Sequence, residues 1–157
     1  MLMDEAEILS RNEAPPMALW AIALLALAPF PISAAAYGYG PPEAARPALT
    51  VILTWSAVVL CFLGGVRWGM ESLLPRPRWP RQMISVSSGV VAWLLLLARH
   101  RIADRWIIGA GIAAFLVQWL FDHQAPEVPA RYPKLSTAIT AAACISLAVC
   151  LDKALRG

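Results

Sequence analysis

Five long apolar blocks constrain this chain more than any other feature. They cover residues 17–36, 48–66, 82–98, 102–121 and 135–151. Each block is close to the roughly 20 residues that an α-helix needs to cross a hydrocarbon core of about 30 Å. None shows the two-residue alternation of a membrane strand, and an open sheet edge has no hydrogen-bond partners in lipid. The sequence therefore predicts a single all-α domain, an integral membrane bundle of five transmembrane helices joined by short loops.

The composition agrees with a lipid environment. Hydrophobic residues make up 59% of the 157 residues and charged residues only 15%, which lies outside the range of soluble globular domains. The net charge of +3 comes from basic residues that flank the apolar blocks, so it does not indicate a nucleic-acid-binding face. We expect membrane lipids and other membrane protein subunits as partners, and no nucleic acid. We also expect the first block to be retained rather than cleaved as a signal, because four acids and one arginine precede it.

Five spans divide the connecting segments between two membrane sides. We call the side of the amino terminus, the second loop and the fourth loop the N side, and the opposite side the C side. Seven Lys and Arg residues lie on the N side and six on the C side. The positive-inside rule therefore does not decide the orientation of the chain.

Polar residues gather where four of the predicted helices meet the N side. We call this set the N-side polar layer, and its members are Arg67, Trp68, Glu71, Gln82, Ser85, Gln118, Asp122, His123 and Tyr132. A charged side chain at the bilayer centre costs about 2.5 to 3.5 kcal/mol on insertion scales, so such groups usually face the bundle and pair. The layer is predicted to be structural or ligand-binding.

Three interpretations of Arg67 remain open at this point. Arg67 extends to the lipid headgroups and pairs with Glu71 one turn on, or it packs in a network with Asp122, or it lines a ligand-binding or proton-handling site. Gln118 and Asp122 are four residues apart and share a helix face. The sharpest prediction is that Arg67 lies within hydrogen-bonding or ion-pairing reach of Asp122 or Gln118.

Glycines precede and follow Arg67. Gly65 and Gly69 form a small-xxx-small pair with Gly64 beside them. Such a pair lets another helix backbone approach closely. Gly64, Gly65 and Gly69 are therefore predicted to form a helix-packing seam.

Signatures of catalysis are missing from the sequence. It contains no GxSxG, no HExxH and no phosphate-binding glycine loop. His100 and His123 are predicted on opposite membrane sides, so they cannot jointly hold a haem or a metal. The three cysteines lie inside predicted helices without a CxxC pair. We predict that the protein is not an enzyme and has no catalytic residue, no metal and no cofactor.

Several stretches resemble a known membrane family. They are CFLGGVRWG from Cys61 to Gly69, Ala28-Pro29-Phe30, the Gln118 and Asp122 pair, and Tyr132-Pro133-Lys134-Leu135. Over nearly its whole length the chain resembles the polytopic family called domain of unknown function 3429. The chain departs from that pattern at Ser87, Arg131 and Ser136, where the family tends to have Pro, Trp and Arg. The resemblance implies a small polytopic inner-membrane protein of bacterial or mitochondrial type, and it implies no activity.

Two functions follow as expectations. The first is an accessory, structural or assembly subunit that packs against a larger, possibly energy-transducing, membrane complex. The alternative is a small transporter or a lipid- or quinone-binding protein that uses the polar layer around Arg67 and Asp122. Eleven arginines against two lysines suggest a high-GC bacterial source. We therefore expect a multi-pass protein of the bacterial inner membrane, or of the mitochondrial inner membrane in a eukaryote.

Overall fold

Helices account for all the regular structure in the described part of the chain. The computed structural model describes residues 25–76, 78–124 and 132–156 together with Ala21, without the side chains of Tyr132 and Pro133. Its helices are α1 Pro29–Tyr39, α2 Pro42–Ser72, α3 Trp79–Ala98, α4 Asp104–His123 and α5 Tyr132–Arg156. The predicted all-α membrane bundle is confirmed.

Four of the described helices are long and apolar enough to cross a membrane: α2, α3, α4 and α5 from Lys134 onward. The first predicted span, 17–36, lies largely outside the described residues and stays a prediction. Residues 25–27 are helical, and a turn at Ala28 separates them from α1. Pro29 begins α1, where its missing backbone N–H has no helical partner to lose.

The second helix extends beyond the predicted block 48–66 at both ends. Its 31 residues span about 46 Å, well over the thickness of a hydrocarbon core. Residues after Val66 remain helical because no proline occurs before Pro75. Arg67 and Glu71 consequently stand on a rigid helix and not on the following loop.

The centre of the bundle is α2, which packs against each of the other four helices. The last helix packs against α1 and α4 as well. Phe30 of α1 and Phe115 of α4 are fully buried and meet edge to face, with ring centroids 6.0 Å apart. This geometry favours aromatic pairs beyond their burial alone. The first and the fourth helices are thereby fixed to one core.

The contact between α2 and α3 depends on small residues. A Cβ added at Gly64 would overlap the carbonyl oxygen of Ser85 and the hydroxyl of Ser88. The Ser88 hydroxyl donates a hydrogen bond across the seam to the Leu60 carbonyl at 3.4 Å. Gly64 therefore serves the predicted close approach.

Gly65 and Gly69 do not take part in this seam. A Cβ at either position would meet no atom of the described residues within 4 Å. The rotation of α2 turns Gly64 toward α3 and leaves Gly65 exposed and Gly69 half-buried, so a packing role for these two glycines stays a prediction. The third helix is itself an edge element, with only 11% of its apolar window buried.

Candidate functional site

Arg67 is enclosed by the bundle. It lies about 28 Å along α2 from Ala48, which places it near the N-side boundary of the hydrocarbon core. Arg67 is only 7% exposed, whereas its neighbour Trp68 is 49% exposed. An arginine that extends along the outer surface to the headgroups is largely exposed, so that interpretation of Arg67 is wrong.

Glu71 is also buried, and it pairs with a different arginine. Arg78 donates to Glu71 Oε1 from both its side-chain Nε and its backbone N–H, each at 3.2 Å. Arg78 precedes α3, so this contact joins the end of α2 to the start of the next helix. Within the described residues Arg67 and Glu71 form no ion pair.

Asp122 is fully buried between α4 and α5. Gln118 Nε2 donates to its Oδ1 at 3.1 Å, and Ser136 Oγ donates to its Oδ2 at 2.6 Å. The described residues contain no hydrogen bond or ion pair from Arg67 to Asp122 or to Gln118. The predicted pairing is wrong, because the carboxylate faces donors on its own helix and on α5.

Arg67 faces a cavity instead of an acid. The cavity measures about 140 Å³ and is lined by Arg67, Arg81, Ile84, Ser85, Gln118, Phe121 and Gln124. The Nη1 atoms of Arg67 and Arg81 are both buried, and neither has a hydrogen-bond partner in the described part of the chain. One water molecule needs only about 10 to 15 Å³, so several waters or one small anionic group have room here. We call this feature the Arg67–Arg81 cavity.

The other members of the N-side polar layer are divided among separate contacts. Gln82 Nε2 donates to Ser72 Oγ at 3.1 Å, and Ser85 Oγ donates to the Arg81 carbonyl at 2.9 Å. His123 is exposed, with Nδ1 3.1 Å from the Trp119 carbonyl oxygen. Tyr132 begins α5, but its side chain lies outside the described residues. The structure thus brings Arg67, Ser85 and Gln118 to one cavity, and the other members of the layer with described side chains do not line it.

Sequence reasoning missed two residues of this region. Arg81 precedes Ser85 by four residues on α3, and this helical spacing places both on one face, so the signal was present. Ser136 is fully buried against Asp122 although no motif connects the two. Its contact depends on how α4 and α5 pack, which no local pattern encodes.

Metal-binding groups do not assemble among the described residues. No set of three or more His, Cys, Asp or Glu side chains comes together there. The cysteines are unpaired thiols: Cys61 is exposed, Cys144 half-buried and Cys150 buried. The chemistry available at the Arg67–Arg81 cavity is therefore that of fixed cationic hydrogen-bond donors.

A membrane-spanning helix bundle with a buried N-side polar cluster is the class of protein that this fold and site define. The model of the family described as "Protein of unknown function (DUF3429)" matches residues 15–151, and the chain belongs to that family. The resemblance drawn from the sequence is thereby confirmed.

Comparison with curated proteins finds a similar chain in an animal. Transmembrane protein 69 of Xenopus tropicalis is 31% identical over 150 residues, which cover 90% of this chain and 56% of the relative. The chain therefore spans about half the length of that relative. No solved structure matches the chain.

Proposed function

We propose that this protein is a non-catalytic binding protein of the bacterial inner membrane, or of the mitochondrial inner membrane in a eukaryote. Its ligand is an amphiphile whose anionic headgroup enters the Arg67–Arg81 cavity. The observation that carries the proposal is the Nη1 of Arg67, which has no hydrogen-bond partner in the described part of the chain although the residue is only 7% exposed.

The energetics of burial favour an anion in this cavity. Removing one partner of a buried ion pair costs about 3 to 5 kcal/mol, since the other charge is left uncompensated. The acids near Arg67 have other donors, because Glu71 binds Arg78 and Asp122 binds Gln118 and Ser136. The described residues that line the cavity include no carboxylate. An anion that enters the cavity from outside would therefore offset the free-energy cost of burying these guanidinium groups without hydrogen-bond partners.

The lining also selects the class of ligand. A quinone carbonyl accepts hydrogen bonds but brings no negative charge to the two arginines, whereas a phosphate or carboxylate headgroup brings negative charge and accepts their N–H groups. Ile84 and Phe121 supply apolar surface beside the two arginines. At the boundary of the hydrocarbon core this combination suits a lipid headgroup with its first methylene groups. The lipid-binding alternative is thus favoured over the quinone-binding one.

The test compares thermal stability with and without candidate ligands. The full chain is purified in a neutral detergent and mixed with phosphatidylglycerol, oleate, phosphatidylcholine or a short-chain ubiquinone. We expect phosphatidylglycerol or oleate to raise Tm, because a ligand that binds only the folded state stabilises it by mass action. Arg67→Met should raise the ligand-free Tm, because it removes an unpaired buried charge, and should abolish the ligand-dependent rise.

A matched control and an internal competitor sharpen this test. Arg76→Met removes a charge from an exposed position on the same side and should leave the ligand response intact. Glu127 is the acid of the segment 125–131, which lies outside the described residues. If Glu127→Gln destabilises the protein strongly and anionic amphiphiles have no effect on Tm, an internal acid neutralises Arg67 and the proposal fails.

A second candidate function is the accessory subunit, and the outer face of α2 supports it. Gly65 and Gly69 leave open space above the helix, and such a small-residue groove is a common contact for another transmembrane helix. In this function the protein packs against a subunit of a larger membrane complex.

Purification at native expression tests the accessory role. A stoichiometric membrane partner should co-purify with the wild type and be lost from Gly65→Leu. Gly109→Leu is the matched control, because Gly109 on α4 also has open space around it. A partner that survives Gly65→Leu, or that is lost equally from Gly109→Leu, argues against this face as the contact.

A further inference from the structure

A second charged feature lies on the C side, at the opposite membrane surface from the Arg67–Arg81 cavity. It is a groove of about 570 Å³ between the ends of the helices, and its charged lining residues are Arg46, Arg99, Asp104, Arg105 and Lys153. These residues come from the start of α2, the α3–α4 connection, the start of α4 and the end of α5. We call it the C-side groove.

Positive charge in the C-side groove exceeds negative charge. Four basic side chains and one carboxylate line it. Asp104 Oδ2 accepts from Arg46 Nη1 at 3.2 Å, but the Arg46 side chain is 83% exposed and remains open to other partners. The remaining basic side chains meet no acid among the lining residues.

Neutral groups hold two of these cations in place. Arg99 Nη2 donates to Thr50 Oγ1 at 2.8 Å. Lys153 Nζ donates to the Tyr37 carbonyl and lies 5.3 Å from the centre of the Tyr37 ring. A hydroxyl, a carbonyl and an aromatic ring orient a cation without cancelling its charge. The groove therefore holds oriented cations in excess of its one carboxylate, Asp104, and this excess favours binding of a further anion.

We propose that the C-side groove binds the headgroup of an anionic phospholipid in the C-side leaflet, with Arg99, Arg105 and Lys153 facing its phosphate. The helix ends place these groups at the depth of the headgroups, and basic pockets between transmembrane helices are a known form of anionic-lipid site. Guanidinium groups match phosphate oxygens in bidentate geometry. This site is separate from the Arg67–Arg81 cavity and stands whether or not that cavity binds an amphiphile.

Native mass spectrometry of lipid adducts tests the proposal. The full chain carries Arg67→Met, so that the N-side cavity does not contribute, and is titrated with phosphatidylglycerol, cardiolipin or phosphatidylcholine. We expect the two anionic lipids to bind at least fivefold more tightly than phosphatidylcholine. Arg99→Gln with Lys153→Gln should remove that preference.

Two further variants keep the result interpretable. Arg105→Gln changes an exposed side chain and should weaken anionic-lipid binding at least threefold, even if the Lys153 change disturbs folding. Arg156→Gln is the control, because Arg156 is an exposed C-side arginine paired with Asp152 at 2.9 Å and is not part of the lining. It should change binding less than twofold.

Three outcomes would overturn the proposal. An equal loss in Arg156→Gln would show that only the general charge of the C side attracts anionic lipid. If phosphatidylcholine binds as tightly as cardiolipin, the site does not select lipids by the negative charge of the headgroup. Displacement of the lipid by millimolar inorganic phosphate would identify a site for a free anion rather than for a lipid.

Discussion

At the residue scale, the two buried acids of the N side accept hydrogen bonds from different elements. Glu71 accepts from Arg78, which precedes α3, and Asp122 accepts from Gln118 on α4 and from Ser136 on α5. The sequence placed both residues at one depth because helix ends alternate between membrane sides. It did not identify their partners, since a few tens of degrees of helix rotation decide which donor a carboxylate meets. The sequence predicted that Arg67 is unusual. Only the packed bundle shows that its Nη1 has no hydrogen-bond partner in the described part of the chain.

Replacing Asp122 should destabilise the protein strongly. Asp122→Ala leaves the Gln118 amide and the Ser136 hydroxyl without their acceptor in a fully buried site. Each unsatisfied buried group costs about 1 to 3 kcal/mol, so for two groups we expect a loss of about 2 to 6 kcal/mol in the free energy of unfolding. Denaturation in mixed micelles measures it. Asp152→Ala, which breaks an exposed pair, should cost less than about 1 kcal/mol.

The energetic independence of Arg67 and Asp122 is a separate prediction. No hydrogen bond or ion pair joins them in the described part of the chain, so the effects of Arg67→Ala and Asp122→Ala on unfolding should add. We expect a coupling energy below about 0.5 kcal/mol in a double-mutant cycle. A coupling of several kcal/mol would mean that the two side chains pair directly in the membrane.

At the scale of single elements, α2 determines how the other helices are arranged. Its 31 residues reach across both membrane boundaries, and it contacts every other described helix. The length of the apolar block predicted that this helix exists. It did not predict the helical turns outside 48–66, because charged residues at the membrane boundary are compatible with either helix or loop. The glycine pattern likewise predicted a close helix contact near Arg67. Which glycine makes that contact depends on the rotation of α2.

Adjacent glycines of α2 should respond differently to the same substitution. Gly64→Ala places a methyl group against the Ser85 backbone, which cannot move cheaply. Overpacking of this kind costs about 1 to 3 kcal/mol. Gly65→Ala has open space, so it should leave the protein unchanged or up to about 1 kcal/mol more stable through helix propensity. Thermal unfolding of the two variants in one detergent compares them, and equal effects would contradict the described rotation of α2.

At the scale of the whole molecule, four described helices are long and apolar enough to cross a membrane. We expect these consecutive helices to alternate in direction, which would place the α2–α3 connection and the α3–α4 connection on opposite sides. Periodicity and length alone predicted this alternation, because lipid permits few other arrangements of long apolar helices. The charge balance of seven against six favours neither absolute orientation.

Cysteine labelling tests the alternation directly. Arg76→Cys lies in the α2–α3 connection and Arg101→Cys in the α3–α4 connection. A membrane-impermeant maleimide should label one of them in intact cells and both after the membranes are opened. The native cysteines lie within α2 and α5 and should stay unlabelled. Labelling of both positions in intact cells would contradict the alternation.

The contact between Lys153 and the end of α1 has a consequence for biogenesis. Lys153 is near the end of α5, and it binds the carbonyl of Tyr37 in α1. Chains are synthesised from the amino terminus, so α1 is made before α5, which carries its partner. Until α5 is made, the carbonyls at the end of α1 need another hydrogen-bond donor, which water or the insertion machinery supplies. The contact between α1 and the end of α5 therefore forms last during synthesis. A chain truncated before Lys153 lacks this contact, so its α1 keeps an unpaired Tyr37 carbonyl.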